Sequence, residues 1–190
     1  PVGLSGRITG GGFRGLKVES HLVVEPGDGQ TPVEGALRIR YAQENNELDL
    51  ESSYLRTQRT RVDFQGQAGD RMRVVLDSSD LNEFLPVLAF LSDDPPQEMP
   101  VQLDGGKLHF DGMVLSPLNA PRVQGTLDAS HIVVEKRRID SVSATLDVDS
   151  HRAVARNLKV QQNGAQIEGD LQLSLHSWAI DRDESELLAH

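Results

Sequence analysis

Apolar and polar residues alternate along most of the chain with a period of two. In one clear run, Val123, Gly125, Leu127 and Ala129 are separated by polar residues. Such alternation is typical of β-strands with one dry face and one wet face. About a dozen runs of this kind follow one another, separated by turn-forming residues at roughly ten-residue spacing. The pattern predicts an all-β protein built from an elongated, curved sheet of antiparallel or mixed strands.

Three short stretches predict how particular strands are joined. The pair Asn163-Gly164 is a strong signal for a two-residue hairpin turn. The basic stretch EKRR at 135–138 is interpreted as a solvated turn, because charge runs usually face water. Near His131 the alternation changes phase, which predicts a register slip that lets the strand continue through Ile132 and Val134.

The stretch SSDLNEFLPVLAFLS departs from this pattern. Leu81, Phe84, Leu85, Leu88 and Leu91 recur at spacings of three and four, which predicts one short helix near 80–91. Asp80 followed by Glu83 resembles a capping box, and Pro86 predicts a kink. The proline-rich stretch SDDPPQEMP at 92–100 then predicts a break before the strands resume.

Glycine recurs at the centre of a repeated unit, as in VEGALRI, VQGTLDA and IEGDLQL. Residues two apart share a strand face, so each of these glycines lies on the apolar face. Glycine contributes no packing there, so its use needs a reason. It either lets a wide sheet curl or admits a ligand or another backbone close to that face. The proposed curvature glycines are Gly35, Gly66, Gly112, Gly125 and Gly169.

So many two-faced strands create a large apolar surface that has to be covered. Either the sheet packs onto a second layer as a β-sandwich, or it bends into an apolar groove whose cargo provides the cover. In the groove hypothesis, the residues that contact phospholipid acyl chains lie on the glycine-bearing face. The candidates are Val33, Leu37, Ile39, Phe64, Phe110, Val114, Val123, Leu127, Leu146, Ile167, Leu171 and Leu173.

Composition narrows the function further. The formal net charge is −10 and aromatic residues make up 4% of the chain, which argues against a nucleic-acid partner. The sequence contains no cysteine, so disulfides and thiolate metal sites are excluded. The chain begins at Pro1 and contains no run of 18 apolar residues. We therefore expect a fragment of a longer protein, with any membrane anchor outside this segment.

No catalytic or metal-binding motif emerges. The six histidines form neither H-E-x-x-H nor a similar ligand pair, and no nucleophile elbow is present. Alternation places His109 and Asp111 together on the solvent side of a strand. We expect no enzymatic activity, no metal and no cofactor.

Three stretches together carry a resemblance to a known family. They are DLNEFLPVL, GGKLHFDGMVLSPLNAPRVQGTLDAS and RIDSVSATLDVDSHRAVARNLKVQQNGAQIEGDLQL, covering about 79–175. This order of a short helix, a proline-rich break and glycine-punctuated strands resembles the repeat region of the AsmA-like proteins, which include the TamB translocation and assembly proteins. The first 78 residues match only as generic strands of the same style.

The resemblance implies a β-taco fold and a role in the envelope of diderm bacteria. It implies a periplasmic location with an upstream inner-membrane anchor, and a groove that carries phospholipid between the two membranes or assists outer-membrane protein assembly. An outer-membrane assembly protein is then a further partner. The alternative is a non-catalytic β-sandwich adhesion or scaffold module that binds protein.

Within one continuous domain, the sequence predicts four segments. Residues 1–78 and 101–176 are strand repeats, 79–100 hold the helix and the proline-rich break, and 177–190 form a charged tail.

Overall fold

A computed structural model describes residues 2–9, 17–25, 32–43, 47–85, 97, 99–115, 120–176 and 179–189. These residues form thirteen β-strands and one short 3₁₀ helix. The strands are β1 (Val2–Thr9), β2 (Lys17–Val24), β3 (Glu34–Ala42), β4 (Glu47–Arg56), β5 (Thr60–Ala68), β6 (Arg71–Ser78), β7 (Val101–Leu103), β8 (Leu108–Leu115), β9 (Arg122–Val134), β10 (Arg137–Val148), β11 (Arg152–Gln162), β12 (Ala165–His176) and β13 (Ala179–Ala189), with the 3₁₀ helix at Leu81–Phe84 between β6 and β7.

All of these strands belong to one antiparallel sheet that is curved and does not close. Apart from β7, each strand hydrogen-bonds to the strands that precede and follow it in the sequence. The predicted all-β fold is therefore confirmed. The β-sandwich alternative is wrong for the described part of the chain, because no second sheet is left there to face the first.

Strand β7 is the one departure from this simple order. It pairs with the C-terminal part of β9, while β8 pairs with the N-terminal part of the same strand. The four residues between them, 104–107, loop out beside Ser130 and His131. Gly106 lies so close to β9 that a Cβ atom there would come within 1.8 Å of the Ser130 carbonyl oxygen. Strands β7 and β8 are thus two halves of one interrupted neighbour of β9.

The predicted helix is only partly described. A 3₁₀ helix covers Leu81–Phe84, whereas residues 86–91 of the predicted helix lie outside the described residues. The Asp80 carboxylate accepts a hydrogen bond from the Asn82 amide, as expected of an N-cap. The predicted capping box is wrong in its second half, because the Glu83 carboxylate accepts a hydrogen bond from the Thr57 hydroxyl instead.

Of the three predictions about strand connections, the hairpin is confirmed and the turn is confirmed at Glu135 and Lys136. The third holds for the continuation of β9 through Ile132 and Val134, but the register of β9 with β10 does not shift near His131. Asn163 and Gly164 have φ angles of 51° and 79°, the left-handed pair that a tight hairpin between β11 and β12 requires. Glu135 and Lys136 form an exposed turn between β9 and β10. His131 has a φ of 49° within β9, where the phase of the strand changes.

The last predicted segment contributes a strand to the sheet. Residues 177–190, interpreted as a tail, contain strand β13, whose backbone pairs with β12. The sequence did not predict this strand, because its charged stretch DRDESE lacks the alternation of apolar and polar residues that the other strands show.

Candidate functional site

One face of the sheet is largely apolar from β2 to β12. Directly opposed residues in antiparallel strands share a face, so the register identifies its members. One row crosses seven strands without interruption and consists only of apolar residues and glycine. It runs Phe64, Val74, Gly112, Gly125, Leu146, Ala155 and Leu171. We call the surface that contains this row the apolar face.

The structure places the candidate lining residues on this face but spreads them widely. Eleven of the twelve lie within strands, and Val33 lies just before β3. Their burial differs greatly, since Ile167 is 64% exposed and Val33 is 37% exposed. They therefore do not form one compact site, and their contact with lipid stays a prediction.

A lid covers the centre of the apolar face. We define the lid as the 3₁₀ helix Leu81–Phe84, whereas β7 lies in the sheet beside β9. The side chain of Leu81 in this lid is only 7% exposed. The lid is tied to the sheet by the hydrogen bond from the Thr57 hydroxyl to the Glu83 carboxylate. A further hydrogen bond, from the Met99 amide to the Asn82 side chain, joins the lid to the residues just before β7.

A cavity of about 570 Å³ lies between the lid and the sheet. Its volume falls within the range of roughly 300–1,000 Å³ that is usual for small-molecule sites. Every lining side chain in the described part of the chain is apolar. The lining residues are Leu76, Leu81, Phe84, Met99, Val101, Leu103, Leu108, Leu127, Ala129, Ile132, Val134, Ile139 and Val142.

Of the twelve candidate lining residues, Leu127 alone reaches this cavity. Sequence reasoning chose residues from the glycine-bearing face and missed Leu81 and Phe84 of the lid and Val101 of β7. The signal was present, because an amphipathic helical stretch in an otherwise β chain has to bury its apolar stripe against a sheet. The sequence did not show on which face of the sheet this stretch lies.

Two of the proposed curvature glycines have a different role. Gly112 and Gly125 are opposed in β8 and β9, and the ring of Phe110 lies across both. A Cβ atom at Gly112 would come within 2.4 Å of the Phe110 ring, and one at Gly125 within 2.8 Å. An aromatic ring that covers glycine in this way supplies the packing that glycine lacks. The space beside these two glycines is therefore filled by the Phe110 ring, a side chain of the protein itself.

The other three glycines accompany irregularities in the sheet. Gly66 has a φ of 118°, a conformation that residues with a side chain rarely adopt. Gly35 packs closely against the Tyr54 carbonyl oxygen and the Leu55 side chain. Gly169 pairs with Leu158, beside a register shift in β11. These positions agree with the curvature interpretation, because bulges bend and twist a sheet.

A bulge between β3 and β4 contains the most buried side chain of the described residues. Ser53 is 2% exposed, and its hydroxyl accepts a hydrogen bond from the Arg38 amide at 2.9 Å. The same hydroxyl donates to the Glu51 carbonyl oxygen at 2.6 Å. The polar group is thus satisfied where the register shifts between Ala36 and Arg38.

The opposite face carries ion pairs between neighbouring strands. Arg73 forms two hydrogen bonds to Asp111, and His109 lies 2.7 Å from Asp77. His109 and Asp111 thus lie close together but contact different side chains. These pairs are largely exposed, so each contributes little to stability.

One ion pair on this polar face is more buried than the rest. Arg122 donates two hydrogen bonds to Asp147, at 2.7 and 2.5 Å, and Asp147 is only 8% exposed. The bonds from Arg122 lower the pKa of Asp147, and burial opposes them with a smaller effect.

Two absences hold for the residues that the structure describes. No group of three or more histidine, aspartate or glutamate side chains is arranged to hold a metal ion among them. Within the same residues, no helix has the length and apolar character needed to cross a membrane.

Comparisons with known proteins gave no match to any family model, to any curated protein or to any solved structure.

Proposed function

We propose that this chain is a segment of an envelope-spanning protein of the AsmA-like and TamB type, and that its apolar face carries phospholipid acyl chains. The transport would connect the inner and outer membranes or assist outer-membrane protein assembly. The observation that supports this proposal is the cavity beneath the lid, whose lining consists of apolar side chains alone among the described residues.

The lining indicates which kind of ligand the cavity suits. Sites for most small molecules combine apolar walls with a few polar groups that fix the orientation of the ligand. The described residues that line this cavity offer none, so from them a ligand gains only by burial of its own apolar surface. An acyl chain gains about 0.8 kcal/mol for each methylene removed from water. A chain held in this way can slide, which suits transport.

The uncovered parts of the apolar face fit the same role. Exposed apolar patches larger than a few hundred Å² are rare in monomeric proteins and usually mark an interaction site. Beyond the lid, large side chains such as Ile167 remain exposed on this face. The proposed role requires no catalytic residue, so we propose a binding protein rather than an enzyme.

Lipid binding by matched variants tests the proposal. The purified 190-residue chain is extracted with organic solvent, and its affinity for a fluorescent fatty acid is then measured. Ala129 is 8% exposed and lines the cavity, so Ala129→Phe is expected to fill the cavity and to weaken binding severalfold. Ala153→Phe makes the same change on the apolar face outside the cavity, and binding is expected to persist.

Urea unfolding of both variants shows whether each is folded. The proposal fails if the wild-type chain yields no extracted lipid and binds no fatty acid. It also fails if the two folded variants bind fatty acid equally well.

A further inference from the structure

A second hollow, of about 440 Å³, lies at the end of β5, β6 and β8. Four cationic side chains line it, and Asp77 is the only carboxylate among the lining residues. The cations are Arg56, Arg59, Arg61 and Lys107. The chain as a whole has a net charge of −10, so this local excess of positive charge runs against its general character. We call this site the basic hollow.

The basic hollow adjoins the apolar cavity. Leu108 lines both, and it is paired in register with Ser78, which lines the basic hollow. A second connection between the two sites runs beside the lid. Arg59 donates a hydrogen bond to the Asp80 carboxylate at 2.9 Å, and the next residue, Leu81, lines the cavity. A molecule with an apolar part in the cavity therefore has its other end close to these cations.

The cations keep unused hydrogen-bond donors. Each arginine already bonds a carboxylate outside the hollow. Arg56 bonds Glu34 through Nε, Arg59 bonds Asp80 through Nη1, and Arg61 bonds Asp63 through Nε and Nη2. A guanidinium group has five N–H donors, so each of the three retains several for a further acceptor.

Lys107 differs from the three arginines. It forms no ion pair with any carboxylate in the described ranges, although it lies in the same hollow. Its ammonium group is therefore the cation best placed to meet an added negative charge.

We propose that the basic hollow binds the phosphate of an anionic phospholipid whose acyl chain occupies the apolar cavity. This inference rests on the proposed function and adds a head-group preference to it. Arginine and lysine both bind phosphate well, arginine through paired N–H donors and lysine as a point charge. A zwitterionic head group brings its own cation into the hollow and gains less from the same residues.

The test compares two lipids with the same acyl chains, phosphatidylglycerol and phosphatidylcholine. Binding of each to the 190-residue chain is measured at low salt. The wild-type chain is expected to prefer phosphatidylglycerol. The double variant Arg59→Gln/Lys107→Gln is expected to weaken phosphatidylglycerol binding about tenfold or more, the usual effect of losing hydrogen bonds to a charged group. Its binding of phosphatidylcholine is expected to change little.

A matched control removes the same charge elsewhere. Arg73→Gln/Lys159→Gln alters two ion pairs on the polar face, outside the basic hollow, and is expected to keep the preference for phosphatidylglycerol. Because Arg59 also holds Asp80 beside the lid, Lys107→Gln alone is measured as well. This single variant breaks no ion pair among the described residues, and a weaker preference is again expected.

The outcomes separate this inference from the proposed function. Equal binding of both lipids, or a preference unchanged in the hollow variants, overturns the head-group site and leaves lipid binding intact. Failure of the wild-type chain to bind either lipid overturns both proposals. Inorganic phosphate alone is titrated in parallel, and binding as tight as that of phosphatidylglycerol overturns the assignment to a lipid.

Discussion

The strands at the centre and at the flanks of the sheet show the same alternation of apolar and polar residues. Their apolar side chains, however, are buried to different extents. In the centre, Ala129, Ile132 and Ala144 are each less than 9% exposed. On the C-terminal flank, Ile167 belongs to the same face yet is 64% exposed, and on the N-terminal flank Val33 is 37% exposed. Alternation therefore determines which face a residue occupies. The presence of a covering element determines whether that residue is buried.

The lid supplies this cover in the centre. It brings Leu81 and Phe84 over the strands β6, β8, β9 and β10, and the cavity remains between them. The hydrophobic contribution to stability scales with the apolar area removed from water. The centre should therefore be the stable part of the sheet, and the flanks should depend on what covers their apolar face.

Removing an isoleucine from each region gives the largest expected contrast. Ile132→Ala, at a position 5% exposed beneath the lid, is expected to lower the free energy of unfolding by about 2–4 kcal/mol. The same change at Ile167 is expected to cost about 0.5 kcal/mol or less, because its side chain is already in water. Urea unfolding of the two variants measures the difference. Equal losses would show that the lid does not distinguish the two regions.

Adding a methyl group should affect both regions alike. A Cβ atom at Gly112 in the centre would come within 2.4 Å of the Gln124 carbonyl oxygen, and one at Gly35 on the flank within 2.3 Å of the Tyr54 carbonyl oxygen. Both obstacles belong to neighbouring strands rather than to the lid. Gly112→Ala and Gly35→Ala are therefore each expected to destabilise the protein by about 1–3 kcal/mol, measured by urea unfolding.

A double-mutant cycle separates the ring from the backbone at the central glycine. Phe110→Leu in the Gly112→Ala background should recover part of the loss, since the Phe110 ring is one of the atoms in the way. Strictly additive effects of the two changes would contradict the assigned contact.

The buried ion pair behind the centre predicts a pH dependence. Because Arg122 lowers the pKa of Asp147 in the folded protein, the pair contributes stability above the pKa of about 3.9 that an unfolded aspartate has. This contribution is lost as the pH falls through the lower folded value. Arg122→Gln should therefore reduce the urea midpoint at neutral pH, and the gap to wild type should close as the pH falls below about 4. A gap that stays constant over this range would rule out the pair as its source.

Removing the cation of an ion pair on the C-terminal flank gives the smallest expected effect on stability. Lys159 pairs with Glu168 at 3.2 Å, but both side chains are about half exposed. The pair lowers the pKa of Glu168, yet solvent and salt screen it. Lys159→Gln should shift the urea midpoint slightly at low salt and not at all at high salt. A shift that persists at high salt would show that this pair is stronger than its exposure suggests.

Much of the fold could be predicted because alternation is a local property. In each strand from β2 to β12, the order of apolar and polar residues shows which side of the strand faces away from water. A turn such as Asn163-Gly164 is specified by two residues. The strand order itself was not predicted, although short connections favour strands that lie side by side. The edge strand β13 was missed because its charged sequence does not alternate between apolar and polar residues.

The candidate site was harder to predict because it depends on contacts between distant segments. The apolar cavity needs Leu81 to fold back over the sheet and Val101 to pair beside β9, and alternation within β9 gives no sign of either. The role of Gly112 and Gly125 likewise depends on Phe110, whose ring direction follows from side-chain packing rather than from strand period. The basic hollow assembles residues of β4, β5 and β6 with Lys107, and no local pattern joins them.

The pairing of each strand with its sequence neighbours has a consequence for how this chain folds. Almost every pairing closes only a short loop, so the entropy lost at each step is small, and topologies of this kind form quickly. Formation can begin at any hairpin and spread outward one strand at a time, as in a linear array of units that interact with their nearest neighbours. Amide hydrogen exchange should accordingly be slowest around β9 and β10, and fastest toward the two ends of the array.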